Sequence, residues 1–195
     1  MEAKRILIAY TTNAGSTADV ARMVGEELGK GGAAVEVTRL EQVASLESYS
    51  AAVIGGPMIV GWHRQALRFI KKNQAALSRL PVAYFITAAS LTGLGETQVD
   101  GTPVVVDPVL SKPPRNPDRL SMKERYATVP NYLRPALKAA PAVRPLSVAF
   151  FGGRLDLYRL KWWQSLFVLL VIQAKPGGYH NEAFIREWAA GLKLL

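Results

Sequence analysis

Cysteine is absent from this sequence of 195 residues, which excludes disulfide bonds and thiolate metal sites. Histidine is scarce as well: His63 and His180 are the only two, and they lie too far apart for the ligand spacing that is typical of zinc sites. We therefore expect no metal site.

Long apolar runs are also lacking. The longest uninterrupted one covers residues 166–172, whereas a helix that spans a bilayer needs about 20 residues. A strand-like run over residues 5–10 begins so early that it leaves no room for a signal peptide. These observations predict a cytoplasmic protein that does not cross a membrane. They leave open a peripheral association with the inner face of the membrane.

Acidic residues are outnumbered. The chain has 24 lysines and arginines against 15 aspartates and glutamates, and its net charge is +9. Such a surplus favours anionic partners, namely nucleic acid, an acidic lipid surface or a carboxylate-bearing substrate, although it also serves general solubility. Because the basic residues are dispersed rather than gathered in a recognisable motif, we expect no nucleic-acid partner.

Short apolar runs alternate with amphipathic helical patterns along the chain. The apolar runs predict five strands, over residues 5–10, 35–40, 51–56, 81–86 and 146–152. The amphipathic patterns predict helices over residues 17–30, 63–78 and 181–194. Apolar strands separated by amphipathic helices indicate a parallel sheet that is covered on both sides. We therefore predict a single α/β domain over residues 1–195, with a doubly wound five-stranded parallel sheet and helices on both faces.

Two segments do not fit this minimal pattern. Residues 93–125 form an insertion rich in proline, glycine and charge, and a stretch of that length is often a functional or flexible loop. Residues 155–174 contain the adjacent Trp162 and Trp163, an apolar run and flanking basic residues. That composition is typical of a helix that lies in the headgroup plane of a membrane. The alternative for this second segment is a helix packed against the sheet or against a partner subunit in a homodimer.

The turn after the first predicted strand is rich in hydroxyl groups and carries no charge. Its residues are Thr11, Thr12, Asn13, Ala14, Gly15, Ser16 and Thr17. At a strand-to-helix turn, backbone N–H groups and the positive end of the helix dipole point at one spot, which accepts an anion. The turn lacks the lysine of a Walker loop and the spaced glycines of a dinucleotide fingerprint. It predicts a phosphate site, and the alternative is a capped helix start that binds nothing.

This turn resembles the phosphate loop of the flavodoxin family, which follows the first strand and has the form hydroxyl–x–Thr–Gly–x–Thr. Residues 12–17 follow this form, with Asn13 and Ala14 as departures whose amide and backbone N–H groups can still donate. The resemblance implies a flavodoxin-like fold that binds flavin mononucleotide (FMN) and holds its phosphate with residues 11–17. Ligands in such sheets bind at the carboxyl ends of the strands, beside strand one. The insertion leaves the fourth strand next to this place, so we interpret residues 93–123 as a mobile lid over the flavin.

In the resembled family, the loops after strands three and four flank the isoalloxazine ring. The matching residues here are Pro57, Met58, Ile59, Val60, Gly61 and Trp62 after strand three, and Thr87, Ala88, Ala89, Ser90 and Leu91 after strand four. Trp62 either offers a stacking face to the ring or is buried against the following helix. Neither loop holds an acidic residue, and Arg64 lies nearby, which should favour the reduced flavin anion. Because carrier flavodoxins are usually acidic, the basic balance of this chain favours an enzyme.

Two further regions resemble one branch of the family, the menaquinone-dependent protoporphyrinogen oxidases of haem synthesis. They are residues 53–63 with 69–73, and residues 151–156 leading into Trp162, Trp163, Gly177 and Gly178. This resemblance implies an FMN-dependent oxidoreductase that oxidises protoporphyrinogen or a similar donor and passes the electrons to a quinone. No catalytic residue is identified. His63 is the nearest candidate for a base, and a solvated histidine at a helix start is the simpler interpretation.

Two other functions stay open at this point. One is a flavodoxin-type electron-transfer protein that binds redox proteins. The other is a binding protein that kept the fold and lost the flavin, for which Asn13, Ala14 and the lack of an aromatic residue in the second loop leave room.

Overall fold

The computed structural model describes residues 4–13, 15–58, 61–153 and 180–194. Its strands are β1 (Arg5–Tyr10), β2 (Ala34–Arg39), β3 (Ala51–Met58), β4 (Val82–Ala88), β5 (Leu91–Thr92), β6 (Gln98–Val99), β7 (Thr102–Val106), β8 (Ser111–Lys112) and β9 (Ser147–Gly152). Its helices are α1 (Ser16–Gly29), α2 (Arg64–Lys72), α3 (Gln74–Leu77), α4 (Met122–Tyr126), α5 (Val129–Ala139) and α6 (Glu182–Gly191), with one 3₁₀ turn at Leu40–Gln42.

The main sheet has seven strands in the order β2-β1-β3-β4-β9-β7-β6. The five predicted strands are β2, β1, β3, β4 and β9. They pair in parallel, with Ile8 opposite both Val37 and Val53 and with Phe85 opposite Ala149. The doubly wound α/β class is therefore confirmed. The count of five strands was wrong, because β7 pairs in parallel with β9 and β6 pairs antiparallel with β7.

The two additional strands come from the insertion. Asp100 and Gly101, with φ of 49° and 79°, join β6 to β7 in a tight hairpin turn. On either side of this hairpin in the chain, β5 and β8 form a separate parallel pair, and Leu110, directly before β8, is buried. The interpretation of residues 93–123 as a mobile lid is therefore wrong for the strands within residues 98–112, since β6 pairs with β7, β7 with β9, and β8 with β5.

The sheet separates two apolar layers, because neighbouring residues of a strand point to opposite faces. One layer joins Leu7, Ile54 and Phe150 to α2 and α5. The other joins Ile8, Phe85 and Phe151 to α1 and α6. Members of both layers are fully buried, which explains why β3 and β4 are apolar along their whole length.

The predicted helix over residues 63–78 is divided in two. Asn73 leaves helical geometry, with φ of −100° and ψ of 14°. Its side-chain amide donates to the Phe69 carbonyl oxygen at 2.9 Å and so satisfies the end of α2. One long helix was therefore the wrong prediction, and a short second helix, α3, follows the break.

Residues 155–174, to which the membrane-docking hypothesis applies, lie outside the described part of the chain. Within the described ranges, no helix combines the length and the hydropathy that a bilayer crossing requires. The same part of the chain contains no group of three or more metal-ligating side chains.

Candidate functional site

The turn between β1 and α1 lies at the carboxyl edge of the sheet. The Thr11 N–H donates to the Gly55 carbonyl oxygen at 3.0 Å, which ties the start of the turn to β3. Gly15 caps α1 with a φ of 92°, a left-handed conformation in which glycine is favoured. The Gly15 N–H donates to the Thr12 hydroxyl oxygen at 2.9 Å. These contacts hold the described ends of the turn, Thr11 and Gly15, and a 14-residue helix begins at Ser16.

The start of α1 is suited to an anion. The first N–H groups of a helix have no partner within the helix, and they point along the positive end of its dipole. The hydroxyl-bearing Ser16 and Thr17 occupy these positions and are buried, which keeps water from competing with a bound group. Asp19, the nearest acid in this helix, lies 3.6 Å from Arg22 and is partly neutralised by it.

One contact joins the start of α1 to β4, and a second joins β4 to the end of β9. The hydroxyl oxygens of Thr17 and Thr87 are 2.9 Å apart and both residues are buried. At the end of β9, the Gly153 N–H donates to the Ala88 carbonyl oxygen at 2.9 Å. A Cβ at position 153 would lie 3.2 Å from the Ser16 hydroxyl oxygen. The absence of a side chain there keeps open the space beside Ser16.

His63 connects the turn to α2. The Gln65 N–H donates to His63 Nδ1 at 3.3 Å, so Nδ1 is an acceptor and the proton of the neutral ring is on Nε2. Nε2 then donates to the Asn13 side-chain oxygen at 3.1 Å. The Thr11 hydroxyl donates to the Gln65 side-chain oxygen at 2.7 Å. His63 thus lies at the start of α2, as the simpler interpretation has it, but it is half-buried rather than solvated, and it bridges residues 11–17 and α2.

The electrostatics of His63 follow from this position. Burial lowers its pKa from the usual value, and the nearby Glu41 carboxylate opposes that shift. The neutral ring is the form that can accept from the Gln65 N–H and donate to Asn13 at the same time. This arrangement favours a positioning role over that of a protonated acid.

The loop after β3 differs from the prediction at Trp62. Its exposed fraction is 2%, its indole N–H donates to the Gly56 carbonyl oxygen at 3.3 Å, and its ring lies 5.5 Å from that of Tyr84. The stacking face was therefore the wrong alternative, and Trp62 belongs to the apolar layer beside α2. Met58 is also buried and Pro57 is half-buried, whereas Gly61 turns the chain with a φ of 86°.

The loop after β4 is divided between core and edge. Thr87, Ala88 and Leu91 are buried, and Leu91 pairs with Ser111 in the small sheet. Ala89 and Ser90 are half-exposed and remain at the carboxyl edge. Among the other predicted residues, Ala14, Ile59 and Val60 lie outside the described part of the chain.

The residues present fit a flavin phosphate. The turn offers neutral hydroxyl groups and a helix N-terminus, Gly153 keeps a side chain out of the space beside Ser16, and residues 11–17 include no carboxylate. The loops over residues 57–63 and 87–93 also contain no acidic residue. An anionic phosphate is therefore met by donors and dipoles without a repelling charge.

Three solved structures illustrate what the chain is similar to. The two-electron reduced flavodoxin of Megasphaera elsdenii shares 13% identity with a TM-score of 0.47, covering 74% of this chain and 84% of that one. A flavodoxin from the domain Archaea shares 12% identity with a TM-score of 0.44, covering 87% and 97% respectively. A flavodiiron core from Synechocystis shares 16% identity with a TM-score of 0.41, and the match covers 45% of this chain but only 24% of that one.

Among curated proteins, none matches the chain. The sequence over residues 7–180, however, matches the family described as the flavodoxin domain, which includes the turn, both flanking loops and all the strands except part of β1. FMN, the cofactor predicted from the phosphate loop, is the cofactor of this family. The chain belongs to the flavodoxin domain family.

Proposed function

We propose that this chain is an FMN-dependent oxidoreductase that takes hydrogen from a small organic donor of the protoporphyrinogen type and passes the electrons to a quinone. The observation that carries the proposal is the hydroxyl-lined, carboxylate-free edge of the sheet formed by residues 11–17, 57–63 and 87–93. The resemblance of residues 53–63 and 151–156 to the protoporphyrinogen oxidase branch supports the choice of donor.

The chain's own residues have three tasks in this proposal. Ser16 and Thr17, at the start of α1, would hold the phosphate through backbone N–H and hydroxyl groups, next to Gly15, whose own N–H donates to Thr12. Residues at the ends of β3 and β4, among them Pro57, Gly61, Ala89 and Ser90, would border the ring. His63 holds Asn13 in place by donating to its side-chain oxygen. When bound, FMN supplies the redox chemistry, and the protein binds it, orients it and tunes its potential.

Nearby charge has the largest influence on the reduction potential of the bound flavin. A carboxylate beside a reduced flavin disfavours its negative charge and lowers the reduction potential, whereas a nearby cation does the opposite. The three loops have no carboxylate, and Arg64 directly follows His63 at their edge. A flavin in this environment is suited to accept electrons from an organic donor.

Electron transfer between proteins is the second candidate, and membership of the flavodoxin domain family favours it. The two candidates differ in measurable properties. A carrier needs a potential well below that of free FMN and no organic substrate, whereas the proposed enzyme needs a raised potential and turnover with a quinone.

The test uses the whole chain, reconstituted with FMN. We expect a reduction potential equal to or above that of free FMN in the same buffer. We also expect reduction of a water-soluble quinone that depends on added protoporphyrinogen. A potential well below that of free FMN, with no quinone reduction, would replace the proposal with the carrier. Failure to take up FMN at all would leave a binding protein that has lost the flavin.

A further inference from the structure

The surface of α2 is strongly basic. Arg64, Arg68, Lys71 and Lys72 are spaced by four, three and one residues, which places them along one side of the helix. All four are exposed. The opposite side of α2, with Ala66 and Ile70, is buried against the sheet. The cations therefore point away from the core.

The basic surface extends beyond α2 on the same side of the sheet. The helices α2 and α5 pack together, and the Ala142 N–H donates to the Gln74 side-chain oxygen at 3.1 Å, which brings residues 141–144 next to α3. These neighbours add exposed cations. We call the whole set the basic face; it consists of Arg64, Arg68, Lys71, Lys72, Arg79, Lys138 and Arg144.

Among the described residues, no carboxylate pairs with a cation of this face. Over the described ranges, none of its seven cations forms an ion pair. Acids at its border are engaged elsewhere, since Glu41 pairs with Arg39 at 3.4 Å and Asp100 pairs with Arg134 at 3.5 Å. The sequence has no acidic residue between Glu47 and Glu96. Uncompensated charge on one surface attracts an anionic partner.

We propose that the basic face docks the protein on an anionic lipid bilayer. None of the described large apolar side chains that are exposed is on α2 or α3; those on this side of the sheet, such as Leu146 and Tyr126 beside Tyr132, lie outside these two helices. The core of a protein–protein interface needs aromatic or aliphatic anchors, and single-stranded nucleic acid needs stacking aromatics. Contact with a charged lipid surface requires neither, because each nearby Lys or Arg contributes by charge alone.

The position of the face relative to the site gives this contact a purpose. Arg64 directly follows His63, which donates to Asn13 of the phosphate loop, so the face reaches the carboxyl edge of the sheet. A bilayer along α2 would bring dissolved quinone to that edge. This purpose rests on the proposed function, whereas the attraction of the face to anionic lipid does not.

The experiment compares two triple variants of the full chain in vesicle co-sedimentation. The first is Arg68→Gln, Lys71→Gln, Lys72→Gln, which removes three cations of the face. The matched control is Lys4→Gln, Arg119→Gln, Lys193→Gln, which removes three exposed cations elsewhere and leaves the same net charge. The vesicles are phosphatidylglycerol and phosphatidylcholine in equal parts, with pure phosphatidylcholine as the neutral reference. Circular dichroism verifies that both variants fold.

We expect the wild type to bind anionic and not neutral vesicles. Binding should weaken by about tenfold or more in the first variant and by much less in the control, and it should fall as salt is added. Equal weakening in both variants would overturn the proposal, because net charge alone would then explain binding. Retention on single-stranded DNA without vesicle binding would overturn it in favour of a nucleic-acid partner. Turnover of a water-soluble quinone, measured without vesicles, should be unchanged in both variants. Because that assay contains no lipid, a loss of turnover would bear on the proposed function and not on lipid docking.

Discussion

The two faces of the sheet have similar interiors and different surfaces. Each interior is a buried apolar layer, with Phe150 on the side of α2 and α5 and Phe151 on the side of α1 and α6. Outside, α1 and α6 are joined by ion pairs, with Arg186 at 2.8 Å from Glu26 and 3.6 Å from Glu27. The cations of α2 have no such partners in the described structure. Apolar packing thus supports both faces, while charge is neutralised on one and left available on the other.

The difference in surface charge has little bearing on the stability of the fold. Exposed ion pairs contribute little to folding, about 0–1 kcal/mol each. Leaving the cations of α2 unpaired therefore costs the fold almost nothing. It provides instead a positive surface that begins beside the phosphate loop.

The largest expected effect tests the claim that the two interiors are equivalent. Phe150→Ala and Phe151→Ala remove neighbouring rings that are both fully buried but lie on opposite faces. Each should lower the free energy of unfolding by about 3–5 kcal/mol, because the lost burial and the remaining cavity add up. Urea unfolding followed by circular dichroism measures both values. A loss below about 1 kcal/mol for either variant would show that one layer is not a tightly packed core.

The next effect concerns the place where the two faces meet, at His63 between the phosphate loop and α2. His63→Ala removes the acceptor for the Gln65 N–H, and we expect a loss of about 1 kcal/mol at pH 7.5, as for other helix caps. Burial lowers the pKa of His63 in the folded state, so the unfolded chain binds the proton first. The contribution of His63 should therefore be present above about pH 6.5, the ordinary pKa of histidine, and decline as the pH falls below it.

The measurement is the difference in unfolding free energy between wild type and His63→Ala across this pH range. Groups that both proteins share, His180 among them, cancel in that difference. A gap that stays constant from pH 7.5 to pH 5.5 would contradict the pKa shift. A difference in unfolding free energy that grows as the pH falls would mean that the pKa of His63 is raised, not lowered, by folding.

The smallest effect sharpens the contrast between the surfaces. Arg186→Gln breaks the contacts with Glu26 and Glu27 and should lower stability by about 0.5–1 kcal/mol. Arg68→Gln removes a cation with no partner in the described structure, so its stability should change by less than about 0.5 kcal/mol. Thermal unfolding in low salt measures the stability change of each variant and distinguishes the two values. If Arg68→Gln were the more destabilising, α2 would have to hold an ion pair after all.

Much of the parallel sheet could be predicted because its strands are apolar on both sides. The run from Arg5 to Tyr10 was placed with its observed bounds, and the other central strands within about two residues. The end of β3 was placed too early, because glycine and proline at positions 56 and 57 suggested a loop. Pairing with β4 carries the strand on to Met58, opposite Ala88.

The insertion was harder to predict, although one signal was present. Asp100-Gly101 is a favoured sequence for a tight hairpin turn, and it precedes the β-like residues of β7. That β7 pairs with β9 could not be predicted, because the two strands are separated by about 40 residues and the pairing depends on which edge of the sheet is vacant. Composition alone therefore suggested a lid where much of the segment extends the sheet.

The candidate site was predictable only where it is local. Residues 11–17 form one continuous turn, which the sequence places between the first strand and the first helix, where the structure has it. Its role as a phosphate loop stays a prediction. The contact between His63 and Asn13 joins residues 50 positions apart and depends on how α2 leaves β3. The burial of Trp62 could not be predicted for the same reason, because it depends on contacts with Tyr84 and the Gly56 carbonyl oxygen.

FMN binding by Gly15→Asp tests the central claim most directly. The new carboxylate would stand at the start of α1, where the structure offers donors to a phosphate. Because hydrogen bonds to charged groups contribute about 1.5–3 kcal/mol, we expect FMN affinity to fall by about tenfold to a hundredfold or more. Gly32→Asp is the matched control, since Gly32 also has a positive φ, 80°, and lies in an open turn away from the site. Fluorescence titration should show near-normal FMN binding by Gly32→Asp and greatly weakened binding by Gly15→Asp; wild-type affinity in Gly15→Asp would contradict the assignment of the phosphate loop.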